Sequence, residues 1–298
     1  MSPKAPPPEA APTLSDYLGV SPAWHVHAAD LGKPGGVPGR VSIVTVCFNA
    51  ATTLPDTIHS VLQQTYALNG RDMEYIVVDG GSADGTDMIV RSHRDFVAAY
   101  VSEPDAGISD AFNKGISLAT GEYILLLNAD DVLTPTSIEA AARFLDNNLE
   151  DHFCHGDLQL VDADGQHLRY TSGPESYIQI LPTKMPLNHP TMFARRSLYE
   201  RHGLYRCALR CSMDYDFIFR LGVAGVRGSR CDGLVAVMRD GGVSTRLQQT
   251  VRRESYIVRR RHGVPFHNAV YWRMLELLRM NISRMAIVRA AKRALLSR

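Results

Sequence analysis

The sequence lacks both the long apolar runs of a membrane-spanning protein and the charge excess of a nucleic-acid-binding protein. No segment reaches the roughly 20 apolar residues that cross a bilayer. The 32 Lys and Arg residues nearly balance the 31 Asp and Glu residues, so the formal net charge is only +1. No basic stretch followed by an apolar run marks a secretory signal near the N-terminus. These absences predict a cytoplasmic protein whose partner is not a nucleic acid.

Cysteine is scarce, and its spacing favours neither a metal site nor a disulfide framework. The chain has five cysteines, at Cys47, Cys154, Cys207, Cys211 and Cys231. Cys207 and Cys211 lie four positions apart, but no second Cys or His pair at zinc spacing accompanies them. We therefore expect reduced, mostly buried thiols.

Two common phosphate-binding signatures are also absent. No Gly-x-Gly-x-x-Gly opens the first predicted helix, and no Gly-Lys-Ser/Thr loop occurs. A nucleotide bound by this chain is therefore not cradled as it is in dehydrogenases or P-loop ATPases. A metal ion would have to neutralise more of the phosphate charge.

What the chain does contain is a regular alternation of β-branched apolar runs with helical patterns. Residues 41–48 and the segments EYIVVD, AAYVS and EYILLL predict buried strands, and the segment from about Ile108 to Ala119 predicts a helix. This order predicts βαβ units and a mainly parallel sheet. After about residue 150 the pattern predicts a hairpin around a DADG turn, a strand with a short helix, and a helix that begins near Ser212.

Three groups of acidic residues accompany the predicted strand ends. Asp79 ends EYIVVD, Asp130 and Asp131 follow EYILLL, and Asp105 and Asp110 lie between these groups. Ligands of open α/β sheets bind at the carboxyl ends of the strands, so these acids are expected at one edge. Any single one is as well explained by a helix cap or a turn. Together they repel each other unless a cation, such as a metal holding a diphosphate, lies among them.

Six ordered motifs resemble those of family 2 glycosyltransferases with the GT-A fold, especially the branch of bacterial polysaccharide and lipopolysaccharide biosynthesis. They lie between about residues 40 and 250 and read VSIVTVCFNA, EYIVVDGGSADGT, SEPDAGISDAFNKGISLATGEYILLLNADD, LNHPTMFARRSLYERHGLY, SMDYDFIFRL and GGVS. The resemblance implies an α/β GT-A fold and an inverting, hexosyltransferase-like enzyme. Its implied donor is a nucleotide sugar, with a UDP-sugar favoured, and its implied acceptor is a hydroxyl of a glycan or lipid-linked sugar.

The resemblance also implies a donor site. Residues after the first strand would border the nucleotide base, Asp79 would bond the edge of the base, and residues 105–114 would line the diphosphate and ribose. The residues expected to bind the nucleotide are Thr45, Phe48, Asn49, Asp79, Ser82, Asp105, Gly107, Asp110, Asn113, Lys114, Asn128 and Ala129.

The metal motif Asp-x-Asp of the family falls on Asn128, Ala129 and Asp130. Asp130 is the expected ligand of Mn²⁺ or Mg²⁺. Asn128 replaces the first acid, so we expect weaker or more exchangeable metal binding.

The general base of the family falls on Asp214 in SMDYDF, with Asp216 as the less favoured choice. A base must lie on the acceptor side of the sugar, opposite the leaving diphosphate. We expect the dipole of the helix that starts here to lower the pKa of Asp214. The resemblance further places Asp157, His189 and Asp216 near the acceptor or sugar, and predicts that the GGVS loop closes over the diphosphate.

These assignments divide the chain into three parts. Residues 1–38, rich in Pro, Ala and Gly, predict a mobile, disordered tail. Residues 39–250 form the predicted glycosyltransferase domain, with a nucleotide-binding half at 39–150 and an acceptor half at 151–250. Residues 251–298 predict a basic, amphipathic helical extension, which either packs on the domain or lies peripherally on the inner face of the plasma membrane.

Two other functions compete with glycosyl transfer. A sugar nucleotidyltransferase also uses a parallel sheet and acidic metal sites, but the CFNAATTLP segment lacks the basic loop typical of that class. A non-catalytic protein that binds nucleotide sugars is favoured by Asn128 and disfavoured by Asp130 and the DYD segment.

Overall fold

The computed structural model describes residues 35–162, 164–241 and 247–275. The strands in this part of the chain are β1 (Val37–Cys47), β2 (Met73–Asp79), β3 (Val97–Ser102), β4 (Gly121–Asn128), β5 (Asp131–Leu133), β6 (Phe153–Val161), β7 (His167–Thr171), β8 (Phe193–Arg195) and β9 (Gly228–Arg239). The helices are α1 (Leu54–Leu62), α2 (Thr65–Leu68), α3 (Thr86–Ser92), α4 (Ile108–Leu118), α5 (Ser137–Asn147), α6 (Arg196–His202), α7 (Met213–Val223) and α8 (Gln248–Arg261). A 3-10 turn spans His189–Thr191, and residues 266–275 are also helical.

These strands form one sheet in the order β3-β2-β1-β4-β8-β6-β9-β5, and β7 pairs with β6. The first four strands of that order are parallel, as the βαβ pattern predicts. The second half is mixed, because β8 runs antiparallel to both of its neighbours while β6 and β9 are parallel. The prediction of a mainly parallel sheet therefore holds for the nucleotide-binding half. Short connections such as the β6–β7 hairpin bring antiparallel pairs into the second half.

The register brings the polar ends of the central strands together. Cys47 at the end of β1 pairs with Asp79 at the end of β2, and Val46 pairs with Asn128 at the end of β4. Two of the three acidic groups therefore share one edge of the sheet.

The core lies on both faces of the sheet. Val44 and Val46 of β1 face one buried cluster, whereas Val41 and Ile43 face the other. This alternation follows from the two-residue period of a strand. Helix α4 lies so close to β1 that a Cβ at Gly115 would be 2.1 Å from Val44 Cγ1, so only glycine fits there.

The ends of the chain differ in detail from the sequence-based prediction. The first strand begins at Val37, inside the predicted tail, most of which lies outside the described residues. Helix α8 packs on the domain, because Val258 is buried in the same cluster as α7. Residues 276–298, nearly half of the predicted extension, also lie outside the described residues. Among the helices that are described, none combines the length and the apolar character needed to cross a bilayer.

Candidate active site

The loop after β1 is bound to the loop after β2 by a set of hydrogen bonds. Asn49, with a φ of 49°, donates its backbone N–H to Ser82 Oγ (2.7 Å) and accepts the Ala83 N–H through Oδ1 (3.1 Å). Ala50 N–H donates to Thr86 Oγ1 at 2.9 Å. Asparagine tolerates the left-handed conformation that this turn requires. Asn49 and Ser82 therefore build the loops of the predicted base pocket, and Asn49 itself is exposed.

Asp79 lies beneath this pocket and is fully buried. Its carboxylate accepts the hydroxyls of Ser82 (2.5 Å) and Ser102 (2.6 Å) and the Ser82 N–H. These bonds hold the turn after β2 and leave no oxygen of Asp79 at the surface. The burial argues against the predicted direct contact with a base edge and favours a role in positioning Ser82. Thr45 is also fully buried, two positions before the end of β1.

The exposed floor of the pocket is formed by Phe48, Gly80 and Asp105. Phe48 is 66% exposed, so most of its ring is open to solvent at this position. A Cβ at Gly80 would lie 2.7 Å from Asp105 Oδ2 and 3.3 Å from Phe48 Cδ2. Glycine therefore lets an aromatic ring and a carboxylate approach the same backbone. The motif comparison did not assign Gly80 a role, although it stands directly after Asp79.

The start of α4 carries the next group of predicted donor residues. Asp105 Oδ1 accepts the N–H of Gly107 (2.8 Å), and Asp110 Oδ2 accepts that of Ala106 (3.1 Å). Lys114 Nζ lies 2.8 Å from Glu103 and 3.4 Å from Asp110. Partial burial opposes the charge of Lys114, but these two carboxylates outweigh it and raise the pKa of the lysine. A firmly charged ammonium group therefore stands beside the acids at this edge.

Asn113 has a different role from the predicted contact with the donor. It is buried, its Nδ2 donates to Tyr205 O (2.8 Å), and its Oδ1 accepts the Tyr205 N–H (2.9 Å). One turn earlier on α4, Ser109 Oγ donates to Leu209 O at 2.9 Å. Asn113 and Ser109 therefore attach the segment 205–212 to α4. Sequence reasoning alone could not find this contact, because the partners lie 92 residues apart.

The predicted metal corner lies at the end of β4. Asn128 Nδ2 donates to Asp131 Oδ2 at 2.9 Å, while Asn128 Oδ1 and Asp131 Oδ1 are buried without a hydrogen-bond partner. Asp130, between them, is partly exposed, and Ala129 is buried. Burial and the neighbouring charge of Asp130 raise the pKa of Asp131 to about 8.

This corner fits a divalent cation held together with a diphosphate. Its donors are hard oxygens, which Mg²⁺ and Mn²⁺ prefer, and two of them are otherwise unsatisfied. Among the residues that the structure describes, no three His, Cys, Asp or Glu side chains cluster to hold a metal. Any metal here would therefore depend on Asp130, on these oxygens of Asn128 and Asp131, and on oxygens of the bound nucleotide.

Asp214 lies in the first turn of α7, with Ser212 as the residue before the helix, and is partly exposed. Its Oδ1 accepts the N–H of Tyr215 at 2.7 Å. The predicted lowering of its pKa by the helix dipole is wrong. Burial by the surrounding residues outweighs the backbone hydrogen bonds, and it raises the pKa of Asp214 to about 6. A carboxylate with such a pKa is ionised at neutral pH and is a stronger base than an ordinary aspartate.

Asp216 lies in the same helix but points into a buried ion cluster. Its carboxylate is fully buried and contacts Arg206 Nη1 (2.7 Å), His262 Nε2 (3.0 Å) and Arg220 Nε (3.3 Å). Burial opposes its ionisation, but these three groups outweigh burial and lower its pKa. The cluster argues against the predicted role of Asp216 near the acceptor or sugar and favours a structural one.

Asp157 lies on β6, and His189 lies in the 3-10 turn that precedes β8. Asp157 is buried, and it accepts hydrogen bonds from Tyr170 Oη (2.7 Å), Gly173 N (2.9 Å) and Arg230 Nη2 (3.0 Å). His189 packs against the rings of Phe112 and Tyr205, and burial lowers its pKa to about 4. His189 is therefore neutral at pH 7. Three of the four residues of the predicted closing loop GGVS, namely Gly242, Val243 and Ser244, lie outside the described residues.

Sequence reasoning missed Glu254 and Arg230. Arg230 on β9 holds Asp157, and Glu254 on α8 accepts three backbone N–H groups just before α7. Neither residue lies in a motif that carries the family resemblance. Only the pairing of β6 with β9 and the packing of α8 on α7 bring them to the site.

Comparison with known proteins identifies the family of the central region. The model of the family "Glycosyl transferase family 2" matches residues 42–203, more than half of the chain. An uncharacterised glycosyltransferase of Rickettsia conorii is 32% identical over 193 residues, which are 61% of this chain and 31% of that protein. A PGL/p-HBAD biosynthesis glycosyltransferase of Mycobacterium bovis is 30% identical over 183 residues, 60% of this chain and 68% of that protein. The chain thus spans about a third of the Rickettsia relative.

Solved structures confirm the GT-A-type α/β fold. Residues 1–349 of S. aureus TarS, solved in complex with UDP-GlcNAc, superpose with a TM-score of 0.61 at 19% identity, covering 76% of this chain and 66% of that one. The mannosyltransferase PcManGT of Pyrobaculum calidifontis, solved with GDP-Man and Mn²⁺, gives a TM-score of 0.55 at 19% identity, with coverage of 89% and 83%.

Proposed function

Because the chain belongs to glycosyl transferase family 2, we propose that it transfers a sugar, with inversion, from a nucleoside diphosphate donor to a hydroxyl group. The favoured donor is a UDP-hexose, and the favoured acceptor is a glycan or lipid-linked sugar of bacterial polysaccharide biosynthesis. The likeness in fold to a protein solved with UDP-GlcNAc is in keeping with this donor class. We place the reaction in the cytoplasm.

The observation that carries the proposal is the position of Asp214. It is a partly exposed carboxylate with a raised pKa, at the start of a helix whose preceding segment is tied to α4. The same α4 begins beside the acids of the donor edge. A displacement at the anomeric carbon requires that the base and the donor site keep a fixed relative position.

In the proposed mechanism Asp214 accepts the proton of the acceptor hydroxyl as that oxygen attacks the anomeric carbon. The bond from this carbon to the diphosphate oxygen breaks on the opposite face, and the nucleoside diphosphate leaves. Asp130 and the oxygens of Asn128 and Asp131 are the residues that would hold a divalent cation. When bound, such an ion offsets the negative charge that grows on the departing diphosphate. Lys114 adds a fixed positive charge at the same edge.

A screen of nucleotide sugars tests the proposal. The purified protein with Mn²⁺ is expected to release nucleoside diphosphate from one UDP-, GDP- or dTDP-sugar, and release is expected to rise when a sugar acceptor is added. Inversion is checked by NMR of the anomeric configuration of the product. A retained configuration, or no release from any donor, would contradict the proposed reaction.

Variants of the metal corner are expected to shift metal affinity in opposite directions. Asp130→Ala removes the exposed carboxylate and is expected to weaken UDP binding in the presence of Mn²⁺ by about tenfold or more. Asn128→Asp restores a second acid and is expected to tighten Mn²⁺ binding. Isothermal titration of Mn²⁺ and UDP measures both effects. Equal Mn²⁺ affinity in wild type and both variants would place the metal elsewhere.

We further propose that the segment after α8 contacts an anionic membrane surface. Phe266, Tyr271 and Met274 are each more than half exposed, and the exposed Arg273 lies beside them in sequence. Such a face suits the boundary between headgroups and acyl chains. The double variant Tyr271→Ser/Met274→Ser is expected to co-sediment several-fold less with phosphatidylglycerol vesicles than wild type. Leu149→Ser, which removes an equally exposed side chain elsewhere, is the control; unchanged sedimentation of the double variant would contradict the contact.

A further inference from the structure

Glu254 is a buried carboxylate on α8 that binds the backbone in front of α7. It is 3% exposed. Oε1 accepts the N–H of Arg210 (2.8 Å), and Oε2 accepts those of Cys211 (2.8 Å) and Ser212 (2.9 Å). Hydrogen bonds to a charged acceptor are about twice as strong as neutral ones. One carboxylate therefore fixes three consecutive peptide groups.

These three peptide groups lead directly into the helix that carries Asp214. The N-cap residue Ser212 makes no side-chain capping bond within α7. Its hydroxyl instead reaches Val251 O (3.3 Å) and Ser255 Oγ (3.4 Å), both on α8. A residue before a helix normally caps that helix itself. Here a neighbouring helix supplies the negative charge and the acceptors near the helix start.

The opposite side of the same segment is held by α4. Tyr205 and Leu209 are bound by Asn113 and Ser109, so the segment 205–212 is clamped between the donor-side helix and α8. Without Glu254, three N–H groups would lose their acceptor, and the backbone before Asp214 would be held on one side only. The position of Asp214 relative to α4 therefore depends on both contacts.

We infer that Glu254 is a positioning residue for the general base: it holds residues 210–212 so that Asp214 keeps its place opposite the donor. This inference rests on the proposed function, since Asp214 is the base only in that reaction. Both Asp214 and Glu254 lie beyond residue 203, where the match to the family model ends. The negative charge of Glu254 also contributes to the raised pKa of Asp214. Cys211 and Tyr205 also interact electrostatically with Asp214.

The test compares Glu254→Gln with Glu200→Gln. Glu200 also accepts a backbone N–H, that of Gly35, but it lies on α6 beside the N-terminal part of the sheet. Glu254→Gln is expected to lower kcat by about 10- to 100-fold, because small displacements of a catalytic group have effects of this size. The KM for the donor is expected to stay within about twofold. The acid limb of the kcat–pH profile, which is the fall of kcat at low pH, is expected to move to lower pH. The reason is that the loss of a negative charge near Asp214 lowers the pKa of this residue.

Two further measurements separate positioning from a general loss of structure. Hydrogen exchange of amides 210–212 is expected to accelerate in Glu254→Gln and not in Glu200→Gln. Glu254→Asp keeps the charge but is one methylene shorter, so it is expected to lower kcat without moving the acid limb. Circular dichroism verifies that each variant is folded. If Glu254→Gln does not fold, the comparison of Glu254→Asp with wild type carries the test.

The outcomes distinguish the two proposals. A folded Glu254→Gln with wild-type kcat and wild-type acid limb would overturn the inference, while the transferase assignment would stand. An equal fall of kcat in Glu200→Gln and Glu254→Gln would also overturn it, since both changes would then act through stability. A wild-type protein that releases no nucleotide from any donor contradicts the proposed function itself.

Discussion

Asp214→Asn is expected to reduce turnover by about 10²- to 10⁴-fold, the contribution of a positioned general base. The amide keeps the size of the side chain and can still accept the Tyr215 N–H, so the start of α7 is expected to persist. Donor affinity is expected to be unchanged, because Asp130 and Lys114, the residues proposed to bind the metal and the diphosphate, are not altered. Steady-state kinetics with the donor identified in the screen, together with titration of UDP and Mn²⁺, measures both quantities.

The pH profile gives an independent check of the same residue. With the pKa of Asp214 raised to about 6, the wild-type rate is expected to fall as the pH drops through about 6, because the base becomes protonated. Asp214→Asn is expected to lack this limb. Asp95→Asn, a change at a fully exposed carboxylate, serves as control and is expected to keep both the rate and the limb. A wild-type profile flat between pH 5 and 8 would remove Asp214 from the role of base.

The stability of Asp214→Asn is expected to change in the opposite direction from its activity. An acid with a raised pKa in the folded state favours folding in its protonated form, and this contribution is lost as the pH rises through about 6. At pH 7.5 the ionised Asp214 therefore destabilises the fold, and the neutral amide relieves this. A melting temperature at or above that of wild type, with turnover lost, is the pattern of a residue retained for function. If both proteins bind UDP equally and neither releases it from any donor, a non-catalytic binding protein is the better explanation.

Asp216→Asn is expected to lower the free energy of unfolding by about 3–5 kcal/mol, the usual result of removing one partner of a buried ion pair. The carboxylate has no solvent exposure, and it joins Arg206, Arg220 and His262 from three separate segments. Its removal leaves the partly buried Arg206 and Arg220 without this counter-charge. Urea unfolding followed by circular dichroism measures the loss. Asp87→Asn, which breaks an exposed pair with Arg91, is expected to unfold close to wild type.

The acid sensitivity of the fold is linked to the same cluster. Because the pKa of Asp216 is lowered in the folded protein, its contribution is complete above the unfolded value of about 3.9 and is lost as the pH falls toward the folded value. The difference in stability between wild type and Asp216→Asn is therefore expected to be constant from pH 6 to 8 and to shrink in acid. A difference that is absent at pH 7, or that grows in acid, would show that the cluster does not stabilise the fold.

Local pattern determined the strands, the helices and the edge at which the acids collect. Residues 41–48, EYIVVD and EYILLL are apolar runs typical of a doubly covered sheet, and a polar residue ends or directly follows each of them. The start of the helix near Ser212 was also predictable from the local sequence pattern. These features depend on neighbours along the chain, so the sequence contains the information needed to predict them. The mixed half of the sheet was not predicted, because the pairing of β8 and β9 depends on partners distant in sequence.

The sequence could not separate residues that are adjacent in a motif but differ in environment. Asp130 and Asp131 are neighbours, yet one is partly exposed and the other is 1% exposed with a raised pKa. Asp214 and Asp216 belong to one motif, but two positions along a helix turn them to different sides. Asp214 is partly exposed, whereas Asp216 is buried and contacts Arg206 and Arg220. The direction of each pKa shift follows from those surroundings and not from the residue type.

Sequence and tertiary structure contribute differently to the properties of Asp214. The sequence by itself determined that a carboxylate stands at the start of a helix in the second half of the chain. Tertiary structure alone decided its chemistry, because dehydration by packed neighbours outweighs the local helix dipole, and because Glu254 comes from 42 positions beyond Ser212 to hold the backbone in front of it. The burial of a site and the charges around it depend on groups that only folding brings together. A local sequence pattern therefore does not determine them.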